Sequence, residues 1–134
     1  FATAIGVGEC AGVIIDLVAT LIYEADEKKG WAEEAFARGA WADSIYHAYN
    51  TYISAAKALL LDKNINSSTQ VGIIKEFDAQ YVDPGEFALD GTFNDLVLQI
   101  NKNEPSEEFA RTYLASAKEF FEAVKAKREA LVQS

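Results

Sequence analysis

The chain has 134 residues, half of them hydrophobic and a quarter charged, the composition of one globular domain rather than a disordered or fibrous segment. Twelve Lys and Arg stand against 21 Asp and Glu, a net charge of −9 that repels phosphate backbones and argues against broad electrostatic binding of nucleic acid. The single cysteine, Cys10, excludes an intramolecular disulfide or a thiolate cluster for zinc or iron–sulfur, and it suits the cytoplasm, where we place the chain.

Residues 1–8 contain Gly6 and Gly8 and read as an irregular lead-in from a preceding domain, with a helical bundle over 9–134. There is no Met, and the chain starts in the apolar run Phe1-Ala-Thr-Ala-Ile5, which points to a piece of a longer protein. The first helix is expected from Glu9 to Lys29, with Lys28, Lys29 and Gly30 as its stop signal. Its apolar run is interrupted by Asp16 and is too short for a membrane span.

Trp31–Asp62 is the stretch around which the chain is organised. Trp41, Ile45, Ala48, Tyr52, Ala56 and Leu59 recur at helical spacing, and Tyr49, Ile53 and Leu60 widen that face into a core-facing stripe. The opposite face holds Asp43, Ser44, His47, Asn50, Thr51, Ser54 and Lys57, polar yet nearly uncharged. Such a face predicts a helix touched on more than one side.

Ser67 and Gln70 make a capping-box signature for a short third helix through Val71, Ile74 and Phe77. Asp83 is placed to cap a helix beginning at Pro84, and Thr92–Lys102 reads as the fourth helix of the bundle. Ser106 caps the last one, whose inner face is Phe109, Tyr113, Ala117, Phe120, Val124 and Leu131, and the polar tail from Lys125 is expected to fray. No stretch alternates as a strand does. The expected fold is all-α, an up-and-down bundle of about five helices.

Three constellations could carry chemistry. Gly6-Val-Gly8-Glu-Cys-Ala11, with Asp26 downstream, fits a dinucleotide fingerprint, but that motif needs flanking strands and here another helix follows. Cys10 at a helix start has a favourable dipole for a thiolate, but the lone His47 stands on a separate helix, so small-residue packing is the better reading. Asp43 and His47, four apart, share a helix face, yet one histidine cannot furnish a di-iron bundle and zinc would need two further ligands. Asp43, His47, Asn50 and Ser54 are therefore the candidate polar-face contact or ligand-binding residues. No catalytic, cofactor-binding or metal residue is assigned.

Tyr46-His-Ala-Tyr-Asn-Thr-Tyr-Ile-Ser-Ala-Ala-Lys-Ala-Leu-Leu-Leu-Asp-Lys63, followed by Val71-Gly-Ile-Ile-Lys-Glu-Phe-Asp-Ala-Gln-Tyr-Val82, resembles HEPN domains over roughly residues 31–130. Ile5-Gly-Val-Gly-Glu-Cys-Ala-Gly12 and Leu98-Gln-Ile-Asn-Lys-Asn-Glu-Pro-Ser-Glu-Glu-Phe-Ala110 are similar to the HEPN-type C-terminal extension of bacterial proteins resembling sirohaem-dependent sulfite and nitrite reductases. That resemblance implies sirohaem and an iron–sulfur cluster in a parent protein, none in this chain, and a non-catalytic accessory role in dimerisation or in contact with its own upstream catalytic domain. Many HEPN domains are ribonucleases with an Arg, four to six residues and then a His on the last long helix. Here neither Arg111 nor Arg128 is followed by a His, and Arg38 precedes His47 by too many residues on another helix. A nucleotide- or RNA-binding HEPN domain, a degenerate ribonuclease using Asp43, His47 and Arg38 or Arg111, is the alternative. Membrane attachment is not expected.

Overall fold

A computed structural model describes residues 7–133, with side chains over 17–130. Among these residues the chain is all-helical, with α1 (Val7–Ala37), α2 (Trp41–Asp62), α3 (Gln70–Phe77), α4 (Phe93–Val97) and α5 (Glu107–Gln133). The all-α expectation holds. Of the expected lead-in, residues 1–6 lie outside the described residues, whereas Val7 and Gly8 already belong to α1. The side chains of Cys10 and Leu131, and Gly6 of the dinucleotide pattern, also lie outside them.

The first helix does not stop at Gly30. It runs on to Ala37 and takes in residues 31–37, which the sequence pattern joins to the central helix. A glycine inside a helix costs only about 0.5–1 kcal/mol relative to alanine. Ala25, Ala32 and Ala35, all fully buried, pack the helix on both sides of Gly30 and outweigh that cost. The break comes at Gly39, whose φ of +78° suits a residue without Cβ. Its N–H donates to the Phe36 carbonyl at 3.0 Å and that of Ala40 to Ala35 at 2.9 Å, the paired closure that ends many helices.

After this turn α2 packs along α1 and also against α5 and α3, while α1 and α5 meet as well. Its polar face accordingly faces protein over much of its length. Ser44 and Thr51 are fully buried and Ser54 nearly so. The Ser44 hydroxyl donates to the Ala32 carbonyl of α1 at 2.8 Å, and Thr51 bonds back to the His47 carbonyl at 2.9 Å, so neither hydroxyl is left orphaned. Small residues on both helices let their axes approach. The other side of α2 carries Tyr52, whose ring meets Tyr113 at 5.3 Å, Phe120 at 5.4 Å and Phe93 at 6.1 Å. Phe77 joins them, 4.7 Å from Phe93, so every element after α1 contributes a ring to one aromatic core.

Thr69, not Ser67, caps α3: its backbone is extended and its hydroxyl accepts the Gly72 N–H at 3.0 Å. Ser67 instead crowds Gly72, where a Cβ would come within 2.3 Å of the serine oxygen. Past α3 the chain makes one wide turn over Asp78–Val82, closed by the Asp83 N–H on the Asp78 carbonyl at 2.7 Å. No helix starts at Pro84. The N–H groups of Glu86 and Phe87 both return to the Tyr81 carbonyl, at 2.8 and 2.9 Å, and close the segment as a turn. Thr92 caps α4 through the Asp95 N–H at 3.0 Å, and the expected helix tightens to a narrower spiral over Leu98–Asn101. Ser106 accepts the Phe109 N–H at 3.1 Å, as its position in the sequence predicts. The tail from Lys125 is helical to Gln133, following the fully buried Val124.

Two glycine substitutions should move stability in opposite directions. Gly30→Ala places a methyl in open space on a helix and should raise the unfolding free energy by up to about 1 kcal/mol. Gly39→Ala forces an L-residue to positive φ and should lower it by about 1–2 kcal/mol, both read from urea denaturation midpoints.

Candidate functional site

The four residues singled out on α2 do not converge. Asp43 is exposed on the first turn. His47 is half-buried, its ring edge-on to Trp31 of α1 at 5.6 Å and to Tyr46 at 5.4 Å. No hydrogen bond or ion pair among the described residues joins it to Asp43. Asn50 gives one amide hydrogen to the Tyr46 carbonyl at 3.1 Å, within its own helix. Ser54 is turned into the covered interior of the bundle. A shared ligand site built from all four is therefore not what the helix presents.

Two of the three arginines are engaged elsewhere. Arg111 pairs with Glu107 on α5 and lies over the Phe36 ring, 5.6 Å from its centroid. Arg128 exerts its charge on Asp62 at the far end of α2. Arg111 is thus held by Glu107 and Phe36, and no hydrogen bond or ring contact among the described residues joins it to His47. The tyrosines spaced at three also diverge. Tyr46 is largely exposed, Tyr49 donates to the Gln70 side-chain oxygen at 2.9 Å, and Tyr52 is wholly interior. No group of three or more His, Cys, Asp or Glu among the described residues is arranged to hold a metal. No helix among them is long and apolar enough to cross a membrane.

The structure assembles instead an aromatic corner where α1 and α2 meet. Trp31 is 48 % and Tyr46 64 % exposed, with His47 between them touching both rings. The sequence conceals this corner because residues 31–37 read as part of the central helix, which would set Trp31 and His47 more than four turns apart. The hairpin at Gly39 brings them into contact.

Asp78 is a second residue that sequence reasoning passes over. Its two carboxylate oxygens accept the N–H groups of Phe93 and Asn94, at 2.7 and 3.0 Å, and so hold the start of α4 against the wide turn. Its role is structural, and only the fold reveals it. Beside it lies a groove of about 530 Å³ between α2, α3 and α4, walled by Tyr49, Ile74 and Leu98 and rimmed by the exposed Val71.

Around Asp62, Lys63 bonds the Gln80 carbonyl at 2.8 Å, pairs with Glu86 at 3.0 Å and lies 4.3 Å from the centre of the Tyr81 ring. The Tyr81 hydroxyl donates to the Leu59 carbonyl at 2.6 Å, and burial holds it well above the ordinary tyrosine value. Burial likewise raises the Asp62 carboxyl, with Arg128 opposing the shift.

No protein-family model matches the chain, and no solved structure matches it. A protein of Methanocaldococcus jannaschii named as a putative toxin is 26 % identical over 117 residues, covering 81 % of this chain and 86 % of the relative. Both chains are thus similar along most of their lengths. No link to sulfite or nitrite reductases emerges from the comparison.

The raised carboxyl of Asp62 gives a pH test. The folded chain holds this proton more tightly than the unfolded one, so stability falls as pH rises past the ordinary aspartate value of 3.8 and the cost is fully present at neutral pH. Asp62→Asn is expected to raise the melting midpoint at pH 7 and to lose that advantage below the ordinary value, as read by thermal denaturation across pH.

Proposed function

We propose that this chain is a HEPN-like domain of the toxin type that binds a nucleotide or a short unpaired RNA segment without cleaving it. The observation that carries this reading is the similarity to a protein named as a toxin along most of both chains. The aromatic corner supplies a suitable surface. Trp31 and Tyr46 offer exposed ring faces for a base, and such stacking is worth about 1–3 kcal/mol per base without a sequence requirement. The net charge of −9 opposes a long polyanion far more than a single nucleotide, and so favours a small ligand or a short segment. Cleavage is not part of the proposal, since Arg111 is held by Glu107 and no hydrogen bond or ion pair among the described residues joins His47 to Asp43.

The same exposed aromatics also suit a protein contact, because Trp and Tyr are enriched among residues that dominate interfaces. A second copy of the chain, or an upstream domain of a longer protein, would then cover the corner. The accessory role in a reductase-like parent belongs to this second reading.

The test combines ligand and assembly measurements on the full chain. Fluorescence titration with AMP and with a short single-stranded RNA should show saturable binding that Trp31→Ala weakens about tenfold or more, while the purified protein leaves RNA intact. RNA cleavage abolished by His47→Ala would replace binding with catalysis. Absence of binding, together with a dimer that Trp31→Ala dissociates in sedimentation, would favour the contact reading.

A further inference from the structure

The groove beside Tyr49 has one long wall made by α3 and the wide turn that follows it. Its 530 Å³ lies within the usual range for small-molecule sites, about 300–1,000 Å³. Ile74, Leu98 and the Tyr49 ring make it largely apolar, and Val71 at its rim is 76 % exposed, more than any other large hydrophobic residue among those described. Apolar surface left open in a concave place marks a ligand groove more often than a failure of packing. A second feature falls on the same wall. Single π-helical turns are rare and occur frequently at functional sites, and the one over Asp78–Val82 sets Asp78 and Ala79 along the groove.

The uncommitted polar groups identify the ligand. The Tyr49 hydroxyl donates to the Gln70 side-chain oxygen at 2.9 Å, across from α2 to α3, and so fixes which end of that amide is spoken for. The two N–H groups of Gln70 have no acceptor among the described residues, and Asn94 adds a second unengaged side-chain amide. Lys75, one turn beyond Val71, lines the groove with no ion-pair partner among the described residues. The carboxylates of the groove are placed differently. Both Asp78 oxygens are taken by the N–H groups of Phe93 and Asn94, at 2.7 and 3.0 Å, and Asp83 stands past the wide turn, eight residues on from Lys75. Donors therefore gather at the α3 end, beside the apolar wall. The other large groove, about 560 Å³ beside Leu96 and Gln99, has no lysine or arginine on its wall.

We propose that the groove beside Tyr49 binds a small alkyl carboxylate, its chain against Val71, Ile74 and Leu98 and its carboxylate at Lys75 and the Gln70 amide. An ammonium and an amide N–H offered together suit an anionic acceptor, because hydrogen bonds between ionised partners are about twice as strong as neutral ones. The net charge of −9 opposes anions at long range, but salt screens it beyond about 8–10 Å and leaves the contact at Lys75 to decide. The site is separate from the aromatic corner, and its outcome does not depend on the nucleotide reading.

The full chain is titrated with octanoate below its micellar concentration, with octanol as the neutral counterpart and octylammonium as the cationic one, followed by amide chemical shifts. Octanoate should give saturable shifts at Val71, Lys75 and Leu98, octanol should bind about tenfold more weakly, and octylammonium more weakly still. Lys75→Gln and Val71→Gln change exposed side chains and should fold normally. The first should weaken octanoate about tenfold and leave octanol unchanged, whereas the second should weaken both about fivefold. Tyr49→Phe, which releases the Gln70 amide, should weaken octanoate roughly threefold. Equal binding of octanoate and octanol, octylammonium binding as tightly as octanoate, shifts confined to other surfaces, no shifts at all, or a Lys75→Gln variant of unchanged affinity would each overturn the proposal.

Discussion

A helix covered on two sides can carry almost no charge, and this constraint on α2 shapes the rest of the molecule. The seam with α1 accepts only side chains that are small or satisfy themselves, as Ser44 does there by bonding the Ala32 carbonyl. The opposite side is free to be large, and it holds Tyr52 at the centre of a cluster of rings. Polar groups with chemical potential are displaced to the edges of the seam, where Asp43 and His47 sit. The low charge that marks the second face of α2 is a requirement of burial within the chain before it is a sign of any partner.

The short elements between α2 and α5 illustrate a different economy. Helices as brief as α3 and α4 have little stability of their own. They are held by specific bonds: the Asp78 carboxylate on the start of α4, the Tyr81 hydroxyl on Leu59, and the Tyr113 hydroxyl on Val97. Both larger grooves border this region. Leu96 and Gln99 line one, and Asn94 and Leu98 the other. Surfaces suited to ligands therefore arise where packing by long helices gives way to side-chain bonding.

Much of the architecture was legible in the amino-acid order. Helical spacing identified the inner faces of α2 and α5, and Ser106 announced its cap correctly because an N-cap is a local device. The errors share a cause. Gly30 carries a stop signal and Ser67 a capping signal, yet tertiary packing of neighbouring alanines overrode the first and a better-placed Thr69 displaced the second. The candidate site was less legible still. Asp43 and His47 were visible as a pair at one helical turn, but helical spacing brings residues near without making them bond. The Trp31–His47 contact and the reach of Asp78 to α4 depend on hairpins, which no spacing rule encodes.

The placement of the tryptophans has an optical consequence. Trp31 and Trp41 flank the Gly39 turn, the first partly exposed and beside His47, the second packed 5.1 Å from Phe36. The aromatic rings of the deep core, in contrast, are all tyrosine and phenylalanine. Tryptophan emission from this chain consequently reports on a single end of one helical hairpin, while the near-ultraviolet dichroism of tyrosine reports on the interior. The two signals divide the molecule spatially, and any divergence between them during unfolding would locate which layer lets go first.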